Sequence, residues 1–190
     1  IPKIMSIVNG YPIIWYSILK LYSSGIRHFI LPLGYKGEQI QGYIDEKFNQ
    51  LNARIDAIHT GENSTIGKRM HMIKYLIPAE PFLLVNGDCL FDFGINELSN
   101  LHDKSSSLAT LATCQIVSQY GLILVHQGKV SSFSRGSQIK SFVINDNQNN
   151  EIMGYVNAGI TLLNSETLNE INLLETSNFE RDLFPKLIKK

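Results

Sequence analysis

The sequence predicts an α/β fold built from right-handed strand–helix–strand crossovers, followed by a run of shorter strands. Three observations point to it. Short apolar runs alternate with segments of helical periodicity from Pro12 to His102. Several of those runs end at a polar, glycine-bearing turn. After His102 the texture changes to strand-like stretches separated by turns.

Each element follows from local pattern. Pro12–Ser24 carries Ile13, Ile14, Ile18, Leu21 and Tyr22 near helical spacing, and Gly25 follows as a C-terminal stop. His28–Leu33 reads as a buried strand ending at Gly34-Tyr35-Lys36-Gly37. Glu38–Phe48 reads as a helix with Ile40, Tyr43 and Ile44 on one face. Arg54–His59 is a short strand, Thr60–Gly67 a polar loop, and Lys68–Leu76 a third helix. Phe82–Val85 is a four-residue apolar run stopping at Asn86-Gly87-Asp88, the pattern of a buried parallel strand. A helix over Ile95–His102 comes next. Strands are expected over Leu108–Ile116, Leu122–His126, Lys129–Phe133, Ile139–Ile144 and Tyr155–Leu163, with Gln127-Gly128 as a tight hairpin turn. Asn145–Asn150 is a polar surface loop, and Glu166–Leu174 and Glu180–Lys189 are helical.

With 190 residues the chain is expected to form one domain, 1–190. It is 44% hydrophobic with zero formal net charge, which offers no electrostatic case for nucleic acid. No stretch reaches the roughly 18 consecutive apolar residues of a membrane span, and no signal-peptide pattern opens the chain. Cys89 and Cys114 lack metal-like spacing and read as two thiols in a reducing cytoplasm. The opening Ile1-Pro2-Lys3-Ile4-Met5 has no initiator Met and no leading strand, and the end stops on a helical pattern without a cap. Both edges are expected to continue into a longer protein.

Asp88 stands where ligands sit in open α/β sheets, just outside the carboxyl end of a strand. There it serves either as a turn former or as a carboxylate for Mg²⁺, which takes one or two carboxylates with substrate phosphates and water. Asp92 is either a second ligand or a cap for the following helix. Thr60–Gly67 is either a plain loop or an anion cradle, since its free N–H groups precede a helix. Lys3 reads as a solvated terminal lysine or a phosphate contact. Asn157 and Gly159 interrupt an apolar strand, by a β-bulge or by close approach of a sugar. The five histidines share no ligand spacing and read as structural or surface groups. No Walker loop, G-x-S-x-G elbow or G-x-G-x-x-G fingerprint is present.

Taken in order, the segments resemble sugar-1-phosphate nucleotidyltransferases. Pro2-Lys3-Ile4-Met5 and Asn9–Trp15 are similar to the family's "PKPM…GGKPILW" opening. Tyr22–Ile26 and Gly34-Tyr35-Lys36-Gly37 resemble the glucose-1-phosphate cytidylyltransferase branch, and Thr60-Gly61 through Arg69 resembles its "DTG…TGGR". Asn86-Gly87-Asp88 stands at the metal-binding "GD" position and Tyr120-Gly121 at "R-F-G". Tyr155–Ile160 resembles the "NAG" strand, and Phe179-Glu180 with Leu183 resembles the "E…L" helix.

The resemblance implies a Rossmann-like, GT-A-like three-layer sandwich with a mostly parallel mixed sheet and a small antiparallel β element. It implies transfer of NMP, CMP from CTP in this branch, to a phosphorylated acceptor, with Mg²⁺ as cofactor and pyrophosphate as leaving group. Capsule or lipopolysaccharide biosynthesis is the setting it suggests, and a homo-oligomer stays open. Catalysis would fall to Lys3, Asp88 and Arg135, with Asp88 on the metal. Tyr35, Lys36, Thr60, Gly61, Thr65, Gly67 and Gly87 would join Lys3 at the nucleotide. Tyr120, Gly121, Asn157, Gly159 and Glu180 would meet the acceptor.

Three departures stand out. The "G-x-G-T-R" loop and its strand fall before Ile1, and the second metal-binding Asp falls beyond the end. The "E-K-P" position reads Phe133-Ser134-Arg135-Gly136, with Arg135, or more weakly Lys140, in place of the lysine. This leaves open a non-sugar acceptor, such as a phosphorylated amino acid or phosphocholine, or a catalytically silent nucleotide-binding subunit.

Overall fold

Period-two alternation along three short strands sorts their side chains into two apolar cores and sets the architecture. The computed structural model describes residues 1–119, 121–136, 138–145, 151–170 and 178–188. A 3-10 turn at Lys3–Met5 leads into β1 (Ile7–Val8), β2 (Tyr11–Pro12), α1 (Ile13–Ser23) and β3 (His28–Leu33). Next come α2 (Gly37–Lys47), β4 (Arg54–His59), α3 (Ile66–Ile73), β5 (Phe82–Val85) and α4 (Ile95–Ser105). Then follow β6 (Ala109–Cys114), β7 (Ile116–Val117), β8 (Gly121–His126), β9 (Lys129–Arg135), β10 (Gln138–Ile139) and β11 (Phe142–Asn145). The chain continues with β12 (Glu151–Gly154), β13 (Val156–Leu163), a 3-10 segment Ser165–Glu170, a π-helical turn Phe179–Leu183 and α5 (Phe184–Leu187). Two compact units result, one from Ile1–Thr110 with Ile160–Lys190 and one from Leu111–Gly159.

In the larger unit, Phe29 and Leu33 of β3 pack with Ile14, Ile18 and Leu21 of α1, Ile40 and Ile44 of α2, and Ile95 of α4. Ile55 and Ala57 of β4 and Leu83 and Val85 of β5 join that core. The intervening residues Ile30, Ile58, Phe82 and Leu84 face a second core of Met70 and Ile73 of α3, Leu163, Leu168, Phe179, Leu183 and Leu187. Helices therefore lie on both faces of the strands, which gives the three layers. At the amino ends of β3 and β4, Asp56 takes His28 Nε2 at 2.7 Å and Arg54 Nε at 2.8 Å. Burial works against ionisation of Asp56, yet these two partners together hold its carboxyl below the ordinary value.

The sheet is mixed, as the sequence suggests. Among the described ladders β3/β4 alone is parallel, and β13 runs antiparallel to β5 in a β5-β13-β6 order. The reason is connectivity: β13 returns from a set of strands, and only helical crossovers enforce a parallel return.

The smaller unit is a set of paired strands. β8 and β9 form a hairpin through Gln127-Gly128, where φ values of 49° and 74° match a two-residue primed turn. β11 pairs β12 and β10 pairs β7. The single strand expected over Ile139–Ile144 is broken at Lys140-Ser141, because its halves pair different partners.

Three further expectations change. A leading hairpin does exist: β1 and β2 pair across Asn9-Gly10, with φ values of 47° and 88°, so Asn-Gly acts as a primed turn. Asp92 does not cap α4, whose N-cap Gly94 has no side-chain hydrogen bond. The expected helix Glu166–Leu174 appears as the 3-10 segment, its last residues lying outside the described ones.

Leu163 is 1% exposed in the second core. Leu163→Ala is expected to lower unfolding free energy by about 2–5 kcal/mol in urea titration, with little change in m.

Candidate functional site

β3 and β4 run parallel in register, so the segments that leave their carboxyl ends share one end of that pair. After β5 the chain turns at Asn86-Gly87-Asp88, closed by the Cys89 N–H donating to the Asn86 carbonyl at 2.9 Å. The turn is packed from two sides. A Cβ on Gly87 would sit 3.0 Å from Ile4 Cγ2, so the opening 3-10 turn rests directly on it. Ser17 of α1 is buried and donates from Oγ to the Cys89 carbonyl at 3.1 Å.

This packing brings Lys3 to Asp88, with Nζ 2.5 Å from Oδ2. Lys3 is 80% exposed and Asp88 32%. The hydrogen bond from Lys3 holds the Asp88 carboxyl below its ordinary value against partial burial, and the same bond raises Lys3. Asp88 is therefore ionised at neutral pH beside an ammonium that stays charged. Hard carboxylate oxygens suit Mg²⁺. Among the described residues no three His, Cys, Asp or Glu side chains gather as a metal site. The donor set thus fits a cation held by one carboxylate and completed by substrate phosphates and water.

The turn after β3 is tight, with Gly37 N–H on the Gly34 carbonyl at 3.0 Å. Lys36, the N-cap of α2, is left-handed at φ 51°, and its Nζ lies 5.3 Å from the centre of the exposed Tyr35 ring. After β4, Thr60 is buried, and its hydroxyl donates to the Leu33 carbonyl at 2.9 Å. Its side chain thus ties the loop to β3. Gly61 has φ 94°, and the Ser64 hydroxyl donates back to the Thr60 carbonyl. Thr65 caps α3 by accepting from Lys68 N–H at 3.2 Å, and Gly67 is buried in the first turn. Helix N–H groups thus emerge at this end of the sheet, beside the Gly61 loop.

Arg69, which the sequence reading left in the background, links the two loops. Its Nε donates to the Ser64 carbonyl at 3.0 Å, and its guanidinium covers Gly34 so closely that any Cβ there would collide with it. Ser17 was missed too. Its signal was a polar residue on the apolar face of α1, among Ile14, Ile18 and Leu21.

The expected acceptor residues are placed in part. In the smaller unit, Gly121 pairs with Arg135 across β8 and β9, which sets an expected acceptor residue beside an expected catalytic one, and Arg135 is exposed. Asn157 Oδ1 accepts from Gly159 N–H at 3.0 Å, and Gly159 has φ 74°, a local bend that Asn157 stabilises. Lys140 is exposed in the same unit. Glu180 belongs to the larger unit, exposed on the π-helical turn that Asn178 caps by accepting from Arg181 N–H at 3.1 Å. Tyr120 lies outside the described residues. His28 and the buried His102, bonded to Thr110 and Asn164, are structural. Neither cysteine is in a disulfide, and no described helix is long and apolar enough to cross a membrane.

A family model described as nucleotidyl transferase matches residues 1–190. The chain is 32% identical over 154 residues to a probable glucose-1-phosphate cytidylyltransferase of Bacillus subtilis (strain 168), covering 70% of this chain and 60% of that protein. It is 24% identical over 193 residues to the mannose-1-phosphate guanylyltransferase catalytic subunit beta of Drosophila melanogaster, covering 100% and 49%. The chain therefore spans about half to three-fifths of these relatives. The crystal structure of HddC from Yersinia pseudotuberculosis superposes with a TM-score of 0.68 at 22% identity, covering 98% of this chain and 77% of that one, which shows the fold.

Two outcomes follow from the geometry. With Lys3 replaced by Met, the Asp88 pKa is expected to rise toward the ordinary value of about 3.9, read by carbon-13 NMR of its carboxyl. An unchanged titration means the pair does not form in solution. The pair's contribution is present above that ordinary pKa and fades as pH falls through the lowered folded value. Thr65→Ala, which removes the α3 cap, is expected to cost about 1 kcal/mol in thermal or urea unfolding.

Proposed function

The chain belongs to the nucleotidyl transferase family, and from that membership we propose that it moves a nucleoside monophosphate from an NTP to a phosphorylated acceptor. CTP and a sugar 1-phosphate are the substrates favoured. The 32% likeness to a probable glucose-1-phosphate cytidylyltransferase supports the choice of base and acceptor. The observation that carries the reading is the Lys3–Asp88 pair at the carboxyl end of β5.

In this reading a phosphate oxygen of the acceptor attacks the α-phosphorus of the NTP. The bond from that phosphorus to the β-phosphate bridge oxygen breaks, and pyrophosphate leaves with the electron pair. Little covalent chemistry falls to the protein, so positioning and charge stabilisation dominate. Lys3 is long and exposed, so its ammonium can turn from Asp88 onto the phosphates. Asp88 would hold Mg²⁺, which would supply positive charge against the crowded phosphate oxygens. The Gly61–Gly67 loop and the Tyr35-Lys36 turn bound the nucleotide, with Tyr35 offering a ring for stacking. Such an enzyme works where nucleoside triphosphates are held, in the cytoplasm.

Arg135 favours a second reading, cytidylyl transfer to a non-sugar phosphate. A planar guanidinium grips a phosphate as a fork, and Lys grips it as a point charge, so acceptor geometry is free to differ.

Pyrophosphate release by the full-length protein, with each NTP against hexose 1-phosphates, phosphocholine and phosphorylated amino acids, tests both readings. CTP with a hexose 1-phosphate is expected to react, EDTA to abolish release and Mg²⁺ to restore it. Lys3→Met is expected to lower kcat by roughly 10²–10³-fold with a smaller change in KM. Release with no pair at all would overturn the enzymatic assignment and leave a silent nucleotide-binding subunit.

A further inference from the structure

Ser17 is a polar residue on the apolar face of α1. It is 6% exposed and shares that face with Ile14, Ile18 and Leu21, all buried in the first core. A buried hydroxyl needs a partner. Ser17 has two within reach, the Ile13 carbonyl at 3.3 Å and the Cys89 carbonyl at 3.1 Å. A hydroxyl has one proton to donate, so the two compete. Ile13 lies one turn back in α1, where its carbonyl belongs to the helix's own ladder. The shorter bond leaves the helix and lands 72 residues away, on the residue that follows Asp88.

That bond completes a clamp on Cys89. The Cys89 N–H donates to the Asn86 carbonyl at 2.9 Å, so the peptide groups on both sides of this residue are held. A peptide unit is planar, and the Asp88 Cα lies in the first of these two planes. Holding the planes therefore holds Asp88. The chain beyond follows α1. Lys20, one turn after Ser17, donates from Nζ to the Asp92 carbonyl at 3.4 Å, and Phe91 and Phe93 pack against the first core. On its other side Asp88 meets Lys3, a mostly exposed side chain whose hold is weakened by solvent. The buried bond from Ser17 is the firmer of the two.

We propose that Ser17 is a positioning residue for Asp88: through the Cys89 carbonyl it fixes the turn from which the Asp88 carboxylate reaches a divalent cation. The inference rests on the reading of Asp88 as the carboxylate for Mg²⁺. Ser17 is buried and acts through the backbone. A site with one protein carboxylate has few bonds to the ion, so the direction of that carboxylate counts for much. Groups that orient a ligand from behind tune metal affinity without touching the metal. The helix itself has no need of the hydroxyl, since alanine has the higher helix propensity.

Substitutions in the full-length polypeptide test it. Ser17→Ala removes the donor and favours the helix, so a loss reports on the turn. In that variant the Cys89 amide is expected to exchange roughly 10-fold faster, read by NMR without metal. Its Kd for Mn²⁺, a stand-in for Mg²⁺ read by electron paramagnetic resonance on the metal alone, is expected to rise roughly 10–100-fold. Partial unfolding would lower the number of sites and leave Kd where it was. Ser17→Thr keeps the hydroxyl, and Ser17→Val replaces it in the same shape. The Thr variant is expected to bind Mn²⁺ near the wild-type Kd and the Val variant near that of Ser17→Ala. Equal values for Thr and Val would overturn the proposal. So would an unchanged Kd in Ser17→Ala where Asp88→Asn abolishes binding, and that result would leave the metal reading of Asp88 intact. Mn²⁺ binding indifferent to Asp88→Asn would overturn the metal reading and this inference together.

Discussion

Strands β3, β4 and β5 are flanked on both faces by apolar cores, and a strand so flanked has no freedom of register. A slip of one residue would send Phe29 and Leu33 to the side of α3 and Ile30 to the side of α1. Fixing the register fixes where each strand ends, and hence where the polar segments emerge. The Gly34–Gly37 turn and the Thr60–Gly67 loop owe their shared edge to this constraint, because β3 and β4 run parallel in register. Contacts of their own then hold the segments: Thr60 on the Leu33 carbonyl, and Asp88 on Lys3.

Charge enters only after that. The chain has no formal net charge, so attraction for the anionic substrate proposed above must be local. At the turn after β5 the charge is one ammonium and one carboxylate that neutralise each other. Such a pair keeps a charged lysine at the sheet edge without a lasting positive field, and exposure of Lys3 makes the exchange of partners cheap.

The strands that carry the site were legible because short runs bearing apolar residues stop at polar, glycine-bearing turns. His28–Leu33, Arg54–His59 and Phe82–Val85 have the bounds read from sequence. The Asn9-Gly10 hairpin was legible but overlooked, its strands being only two residues each. What the sequence could not reveal depends on distant packing. The hydroxyl of Thr60 turns inward because the Leu33 carbonyl waits there, and Ser17 matters because α1 crosses above Cys89. The tail was read as plain helix, but a capped π-turn followed by Pro185 divides it. The Gln127-Gly128 hairpin, by contrast, was legible, and it is this turn that brings Gly121 opposite Arg135.

The contact of Arg69 with Gly34 reaches beyond the geometry of two loops. One guanidinium both fastens the Ser64 carbonyl and fills the space that a side chain at Gly34 would need. The two positions are therefore coupled: a side chain at Gly34 displaces the guanidinium, and a displaced guanidinium gives up its hold on the Ser64 carbonyl. Because the arginine is flexible, the structure can absorb that shift, and what changes is the anchoring of the loop rather than the packing of the core. Gly34 thus sets how firmly the Thr60–Gly67 loop is held, from a position outside that loop.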